Sequence, residues 1–332
     1  MPKVSILMPV YNAGQYLSQA IDSIRSQSFK DWELILVNDG STDDSEAIIC
    51  SYNDNRIYYA KNPVNLGLIK TLNKGIDLCG GEYIARMDAD DISLTERLRI
   101  QANFLDTHPG YLMCGTNASV INNKGERTGK IRNLQDNDFL QINLLFSPPF
   151  IHPTVMIRRE VLEKNRYDEA YKHVEDYELW CRIAKQGKIA NLKDELFAYR
   201  WHDSNVSVLN NKIQDRLKDK IISDELGSLD IVPAGQELYC HKVTFRLYSM
   251  GNRQEVSVSQ LNDVSAWFSK LIRKNGETGR YNGDDLIAFL WARWIVLCIS
   301  QKKYMRMIPP FASLKPSVFI KLLKLILFLK NK

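Results

Sequence analysis

Short apolar runs alternate with helix-periodic segments through the first hundred residues. The runs typical of buried strands are Val4–Val10, Trp32–Asn38, Arg56–Ala60 and Tyr83–Met87. Between two of them, Leu68, Leu72 and Ile76 recur four positions apart, which predicts a helix with one apolar face. Ser93–Glu96 has the S-x-x-E form of a capping box and predicts a helix that begins there and runs to about Asp106. This alternation predicts an α/β fold, a mostly parallel sheet with helices on both faces.

The pattern changes after residue 110. Asn123-Lys124-Gly125 follows an apolar run and predicts a hairpin turn. Glu175–Gln186 predicts a helix that ends at Gly187. Ile189–Leu192 and Leu196–Trp201 predict two short strands, and the pattern from about residue 212 onward is mainly helical.

The length of 332 residues is enough for one large domain and a smaller addition. We predict a first domain over residues 1–211 and a helical C-terminal region over residues 212–332. Eight of the 44 basic side chains lie in residues 301–332, which contain no acid, so the other 300 residues carry 36 basic and 39 acidic side chains. The basic charge therefore belongs to the tail, and no nucleic-acid-binding surface is expected on the body.

Acidic side chains follow two of the predicted strands where each strand ends. Asp39 follows the second strand, and Asp88, Asp90 and Asp91 follow the fourth. Ligands of open α/β sheets bind beyond the carboxyl ends of the strands, which makes both clusters site candidates. Closely spaced carboxylates are ligands for Mn²⁺ or Mg²⁺, and such an ion neutralises a departing diphosphate. The alternatives are a solvated acidic turn for Asp88–Asp91 and an Asx turn or helix cap for Asp39.

Three further segments carry candidate chemistry. Glu175 and Asp176 stand at a predicted helix start, where they either complement the helix dipole or supply a general base. His202 is a candidate metal or diphosphate ligand, and its alternative is a packed or surface residue. His152 lies in a proline-rich loop, where a structural role is an equal alternative.

In this order the segments resemble glycosyltransferase family 2 from residue 4 to about residue 208. The matching pieces are VSILMPVYNAGQYLSQAIDSIRSQSFKDWELILVNDGSTDDS, NLGLIKTLNKGI, GEYIARMDADD, HPTVMIRRE, VEDYELWCRIAKQG and YRWHDSNVS. The resemblance implies a GT-A fold, a nucleotide-sugar donor that is usually a UDP-sugar, a divalent metal and inversion at the anomeric carbon.

The resemblance also implies a role for each site residue. The implied donor-binding residues are Pro9, Tyr11, Asp39, Asn65, Lys70, Arg86 and Asp88. The implied metal ligands are Asp90, Asp88 and His202. The implied catalytic residues are Asp176 as general base and Glu175 beside it, and the implied acceptor-binding residues are Trp180 and His152.

The sequence departs from the family's processive members, which carry Q-x-x-R-W. Here Phe197–Trp201 has no glutamine, so we expect transfer of one Gal, Glc, GlcNAc or GalNAc residue in the synthesis of O-antigen, capsule or another surface polysaccharide. One alternative is a sugar-nucleotide pyrophosphorylase, although Tyr11–Gln15 lacks the Gly-rich basic loop of that class. The other alternative is a non-catalytic glycan-binding protein.

The tail and the N-terminus bear on location. Pro316–Lys330 is apolar with interspersed lysines and is too short to cross a bilayer, which favours a helix lying on an anionic membrane surface. The alternative is a helix packed on the body. The first residues lack a signal-peptide pattern. We therefore expect a cytoplasmic enzyme, peripheral on the inner face of the cytoplasmic membrane, with a polyprenyl-diphosphate-linked saccharide as acceptor.

Overall fold

The computed structural model contains two compact units. Residues whose structure is described are 1–201, 211–246, 255–308 and 315–330. The first unit contains Met1–Gln135 and Pro149–Gln214, and the second contains Asp136–Pro148 and Asp215–Lys332.

Within the described residues, a nine-stranded sheet forms the centre of the first unit. Its strands are β1 Val4–Val10, β2 Trp32–Asn38, β3 Ile57–Lys61, β4 Tyr83–Arg86, β5 Ile92–Ser93, β6 Tyr111–Ile121, β7 Arg127–Ile131, β8 Met156–Arg158 and β9 Lys188–Arg200. The spatial order is β3-β2-β1-β4-β8-β6-β9-β5, and β7 pairs with β6. Neighbours among β3, β2, β1 and β4 are parallel, whereas β8 runs antiparallel between β4 and β6. The predicted α/β fold with parallel strands is confirmed, and the complete sheet is mixed.

Helices cover both faces of the parallel strands. Those of the first unit are α1 Leu17–Arg25, α2 Ser45–Cys50, α3 Leu68–Leu78, α4 Arg97–Thr107, α6 Arg159–Lys164 and α7 Glu175–Ala184. Side chains alternate between the faces of a strand, so Ile6 packs in one core with Ile21 of α1 while Leu7 faces α3. The approach of α3 is close, because a Cβ on Gly75 would lie 2.1 Å from Leu7 Cδ1. A side chain at position 75 would therefore require the Leu7 side chain to move.

Two local predictions were wrong. Ser93 does not begin a helix: it lies in β5, its hydroxyl accepts a hydrogen bond from buried Gln27, and α4 starts at Arg97. The two short strands predicted after residue 188 are one strand, β9, whose register against β6 shifts near Asn117. At this shift the Asn117 side-chain amide donates to the Lys193 carbonyl. This bond helps β9 to continue through the polar residues that separate the two apolar runs.

The second unit is helical within its described residues. Its helices are α5 Asn137–Asn143, α8 Asn211–Gly227 from Asp215 onward, α9 Gly235–Arg246, α10 Val258–Thr278, α11 Gly283–Ser300 and α12 Pro316–Lys330. Buried His241 joins three of its segments: it accepts from the Trp267 indole N–H at 3.1 Å, donates to the Leu145 carbonyl at 2.7 Å and stacks on Phe146. Burial lowers the pKa of His241 to about 4, so the imidazole is neutral.

The helices differ from membrane spans. Over the described ranges, none of them combines the length with the apolar character that crossing a bilayer requires.

Candidate active site

Hydrogen bonds tie the loops that follow β1 and β2 to each other. Asn12 has a φ of 49°, its N–H donates to the Ser41 hydroxyl, and its side-chain oxygen accepts from the Thr42 N–H. Pro9 lies half-buried at the end of β1, and Tyr11 is 51% exposed just beyond it. Of these two predicted donor-binding residues, Pro9 lies in β1 and Tyr11 in the loop after it, which the loop after β2 holds in place.

Asp39 is only 3% exposed at the end of β2. Its carboxylate accepts hydrogen bonds from the Asn62 side chain and from the N–H groups of Leu66 and Gly67, at 2.8 to 2.9 Å. These bonds anchor the turn that enters α3. Gly40 follows with a φ of 69°, and a Cβ there would lie 2.6 Å from the Val64 carbonyl carbon. The sharp turn after Asp39 therefore requires glycine.

Two predicted donor-binding residues stand near this turn. Asn65 is exposed in the loop before α3. Lys70 is an exposed residue of α3, and its ammonium lies 3.5 Å from a Glu169 carboxylate oxygen. Both side chains are therefore accessible to a ligand from solvent.

Three carboxylates crowd together after β4. One oxygen each from Asp88, Asp90 and Asp91 lies within 4.8 Å of the others. Burial raises the pKa of Asp91 well above its usual range, and the charges of Asp90 and Asp88 add to the rise. One oxygen of Asp91 accepts from the Arg200 N–H, while the other is buried with no hydrogen-bond partner among the described residues. An all-oxygen cluster with an unsatisfied buried atom fits a hard divalent cation.

Arg86 is buried at the end of β4 and forms an ion pair with Asp88. Its Nε is buried with no hydrogen-bond partner among the described residues. Fully buried Arg97 donates to the Arg86 carbonyl at 2.7 Å, and burial lowers the pKa of Arg97 to about 9. A buried guanidinium with an unused donor suits an anion, so Arg86 is a candidate diphosphate contact.

Glu175 and Asp176 form the first turn of α7, as predicted. Burial raises the pKa of Glu175 to about 7, and the charge of Asp176 adds to this. Burial also raises the pKa of Asp88; Arg86 opposes the rise, and the charges of Asp90 and Asp176 reinforce it. The start of α7 therefore lies within electrostatic reach of the acidic cluster.

His152 belongs to a buried aromatic group. Its Nε2 lies 2.8 Å from the Tyr167 hydroxyl, and its ring meets the Trp180 ring edge-on at a centroid distance of 5.7 Å. Burial lowers the pKa of His152 well below its usual range, and the Arg86 charge lowers it further, so the ring is neutral. Trp180 is fully buried and also packs edge-on against Phe150.

The structure brings one set of predicted residues together and leaves another apart. Arg86, Asp88, Asp90 and the Glu175–Asp176 pair interact electrostatically, and Arg86 also acts on His152. Asp39 lies two strands away, because β1 separates β2 from β4. His202 lies outside the described residues.

Sequence reasoning missed two residues of this region and gave a third no individual role. Asp91 was predicted as part of the acidic cluster but not among the metal ligands, and one of its oxygens lies within the carboxylate cluster. Tyr167 stands outside every quoted motif and has no local signal. Arg200 lies in the segment YRWHDSNVS, but its contact with the acidic loop, 110 residues earlier, is visible only in the fold.

Sequence comparison connects this geometry to known proteins. The family model described as glycosyl transferase family 2 matches residues 5–166. An uncharacterised glycosyltransferase of Haemophilus influenzae is 32% identical over 234 residues, covering 66% of this chain and 72% of that protein. The putative glycosyltransferase EpsE of Bacillus subtilis is 35% identical, covering 60% and 73%. The amylovoran biosynthesis glycosyltransferase AmsE of Erwinia amylovora is 33% identical, covering 59% and 75%.

Structural comparison identifies the fold. S. aureus TarS 1–349, in a crystal structure with UDP-GlcNAc, superposes with a TM-score of 0.58 at 18% sequence identity. The match covers 92% of this chain and 89% of that one. The protein therefore has the GT-A fold that the sequence predicts. Together, the family match, the related sequences and the fold identify the chain as a member of glycosyltransferase family 2 and thus as a transferase.

Proposed function

We propose that the protein transfers one sugar from a UDP-sugar to a glycan hydroxyl, with inversion and with the help of a divalent metal. The observation that carries the proposal is the cluster of Asp88, Asp90 and Asp91 at the sheet edge, with Arg86 and Asp176 within electrostatic reach. Membership of a transferase family sets aside the pyrophosphorylase and the non-catalytic glycan binder.

A uridine nucleotide is the proposed donor carrier. The UDP-GlcNAc complex of TarS supports it by fold analogy. Tyr11 and Pro9 would line the base, Asp39 would accept the uracil N–H, and Asn65 and Lys70 would contact the rest of the donor. A carboxylate has about four acceptor positions, so Asp39 can hold its turn and a base together.

Mn²⁺ or Mg²⁺ is the proposed cofactor, with Asp88 and Asp90 as protein ligands and His202 as a further candidate. When bound, such an ion supplies positive charge to the diphosphate that leaves the sugar. Arg86 would add a second positive charge from beneath the cluster, because its guanidinium is buried beside Asp88. Burial strengthens that interaction, since few water molecules screen it.

Asp176 is the proposed general base. It would accept the proton of the attacking hydroxyl while the donor sugar is attacked from the face opposite the diphosphate, so an α-linked donor gives a β-linked product. Glu175 is the reserve candidate, since a pKa of about 7 suits proton transfer near neutral pH.

The acceptor is proposed to lie beside His152. Neutral His152 pairs with the Tyr167 hydroxyl, so this pair is suited to hydrogen bonding with sugar hydroxyls. Trp180 is buried behind the histidine, and we assign it to supporting the His152 ring. The named role of AmsE in amylovoran biosynthesis supports a surface polysaccharide as the product class, of which O-antigen and capsule are examples.

A UDP-release assay tests the proposal. Purified protein is incubated with UDP-Gal, UDP-Glc, UDP-GlcNAc and UDP-GalNAc, with Mn²⁺ or with EDTA. We expect one donor to release UDP preferentially, and EDTA to abolish the release. Equal UDP release with Mn²⁺ and with EDTA would refute the metal requirement. If none of the four UDP-sugars released UDP, the proposed donor class would be refuted.

Helix α12 is the proposed membrane contact. Its inner face packs into the second unit: Val318, Leu322 and Leu325 are buried, and Lys321 pairs with Asp285 at 2.7 Å. Its outer face carries Phe319, Ile320 and Leu323, which are 47%, 59% and 44% exposed, and exposed Lys324 stands beside them. An apolar face bordered by lysine suits binding to an anionic bilayer. Such binding would place the protein on the inner face of the membrane, where a polyprenyl-linked acceptor would be available.

Flotation with phosphatidylglycerol vesicles tests the membrane contact. The double variant Phe319→Ser/Ile320→Ser is expected to lose vesicle binding. Val232→Ser is the matched control, because Val232 is an exposed apolar residue of the same unit and lies outside α12. Equal flotation of the double variant and wild type would exclude this face of α12 as the membrane contact.

A further inference from the structure

Arg200 joins three separate segments of the first unit to the end of β9. It is 1% exposed. Its Nε donates to the Asp90 carbonyl at 2.7 Å, its Nη1 to the Asn122 carbonyl at 2.9 Å and its Nη2 to the Gln19 side chain at 3.0 Å. The guanidinium also stacks over the Tyr16 ring at 4.3 Å. One buried side chain therefore links the acidic loop, the β6–β7 turn and the α1 region.

The main chain of Arg200 adds a second connection to the same loop. Its N–H donates to an Asp91 carboxylate oxygen at 2.7 Å. The loop then continues into β5, where Ile92 pairs with Ala198 of β9. The acidic loop is thus fixed to β4 at one end and to β9 at the other.

The acidic loop needs such anchoring because its own charges repel. Three carboxylate oxygens within 4.8 Å of one another favour a loop that opens and separates them. The bond from Arg200 to the Asp90 carbonyl fixes the main chain within the cluster, and its positive charge lies nearby. Preorganised ligands bind a metal more tightly, because less ordering remains to be done on binding.

We propose that Arg200 is a positioning residue that holds Asp88 and Asp90 in the arrangement that binds the metal. The proposal rests on the metal site of the proposed function and adds a residue that touches neither metal nor sugar. Arg200 also connects that site to α1 and to the β6–β7 turn. Displacement of either element would therefore disturb the metal site through Arg200.

Mn²⁺ titration followed by electron paramagnetic resonance tests this, since it reports metal binding without turnover. Arg200→Lys keeps the charge and removes the branched donor set. We expect it to weaken Mn²⁺ binding by about 10- to 100-fold, as for other groups that orient metal ligands. The matched control is Arg158→Lys: Arg158 also holds two carbonyls, those of Tyr111 and Leu105, away from the acidic loop, so its Mn²⁺ affinity should match wild type.

A second, milder variant keeps the test valid if Arg200→Lys does not fold. Gln19 is exposed, and Gln19→Ala removes one acceptor of the Arg200 guanidinium without opening the core. It should weaken Mn²⁺ binding in the same direction and by less; if Arg200→Lys does not fold, Gln19→Ala decides alone. Wild-type affinity in every folded variant of Arg200 and Gln19 would overturn the proposal. Absence of Mn²⁺ binding by wild-type protein would instead refute the metal site itself, and the positioning role with it.

Discussion

Replacing Asp39 by Asn separates the two roles that its position allows, a turn anchor and a base ligand. One oxygen of the carboxylate accepts from both Asn62 and Leu66, and the other accepts from Gly67. The asparagine oxygen can keep the first two bonds, but its NH₂ group then meets the Gly67 N–H, and two donors face each other. An unsatisfied buried donor costs about 1–3 kcal/mol, so we expect the free energy of unfolding to fall by that amount.

The effect on the donor is a separate quantity. A hydrogen bond from a base N–H to a carboxylate contributes about 1.5–3 kcal/mol, which corresponds to about 10- to 150-fold in the Kd of UDP. Calorimetric titration with UDP measures this Kd, and urea unfolding measures the stability. If Asp39 binds the base, Asp39→Asn raises the Kd of UDP and lowers the free energy of unfolding.

The matched control is Glu33→Gln on the same strand. Glu33 is also a buried acid, and its carboxylate accepts from the Gly80 N–H and the Ser5 hydroxyl. It lies toward the other end of β2, far along the strand from the candidate site. Glu33→Gln should therefore leave the Kd of UDP unchanged, and its amide oxygen can keep both hydrogen bonds, which share one carboxylate oxygen. If the Asp39→Asn protein is destabilised but binds UDP normally, Asp39 anchors the turn and does not bind the base.

Two further predictions concern the start of α7. Asp176→Asn should bind UDP normally and lose about 10²–10⁴-fold in transfer rate; normal turnover would move the base role to Glu175. The folded-state pKa of Glu175, about 7, lies above its ordinary 4.5, so its contribution to stability is complete below pH 4.5 and is lost as the pH rises through 7. The loss is up to about 3 kcal/mol, and Glu175→Gln should abolish it. Urea unfolding of both proteins at pH 5 and pH 8 measures the difference, and identical pH dependence would contradict the shifted pKa.

Local patterns were sufficient for the parallel part of the fold. Apolar runs of strand length and helical periodicity gave β1 to β4 and α3 to within a residue or two. The strands β1, β2 and β4 are buried on both faces, which produces continuous apolar runs, whereas β3 is an exposed edge strand. The carboxyl-end rule for α/β sheets also selected the acidic loop after β4. Each of these signals depends on neighbours in the sequence.

The same local reasoning failed where contacts between residues distant in the sequence determine the structure. Ser93 has a capping-box pattern, but its hydroxyl is bound by Gln27, 66 residues earlier. Tyr167 gains its place from His152 and from hydrogen bonds that hold its main chain to Asn73. The role of Arg200 depends on segments that meet only after folding. The proposed roles of individual site residues therefore stay predictions.

The most direct test of the account is a crystal structure with UDP and Mn²⁺, using anomalous scattering to locate the manganese. We expect the anomalous peak at bonding distance from the Asp90 carboxylate and from a diphosphate oxygen, with the uracil against Asp39 and Asp176 facing the open side of the sugar site. A manganese peak remote from Asp88 and Asp90, or UDP bound away from this sheet edge, would contradict the mechanism.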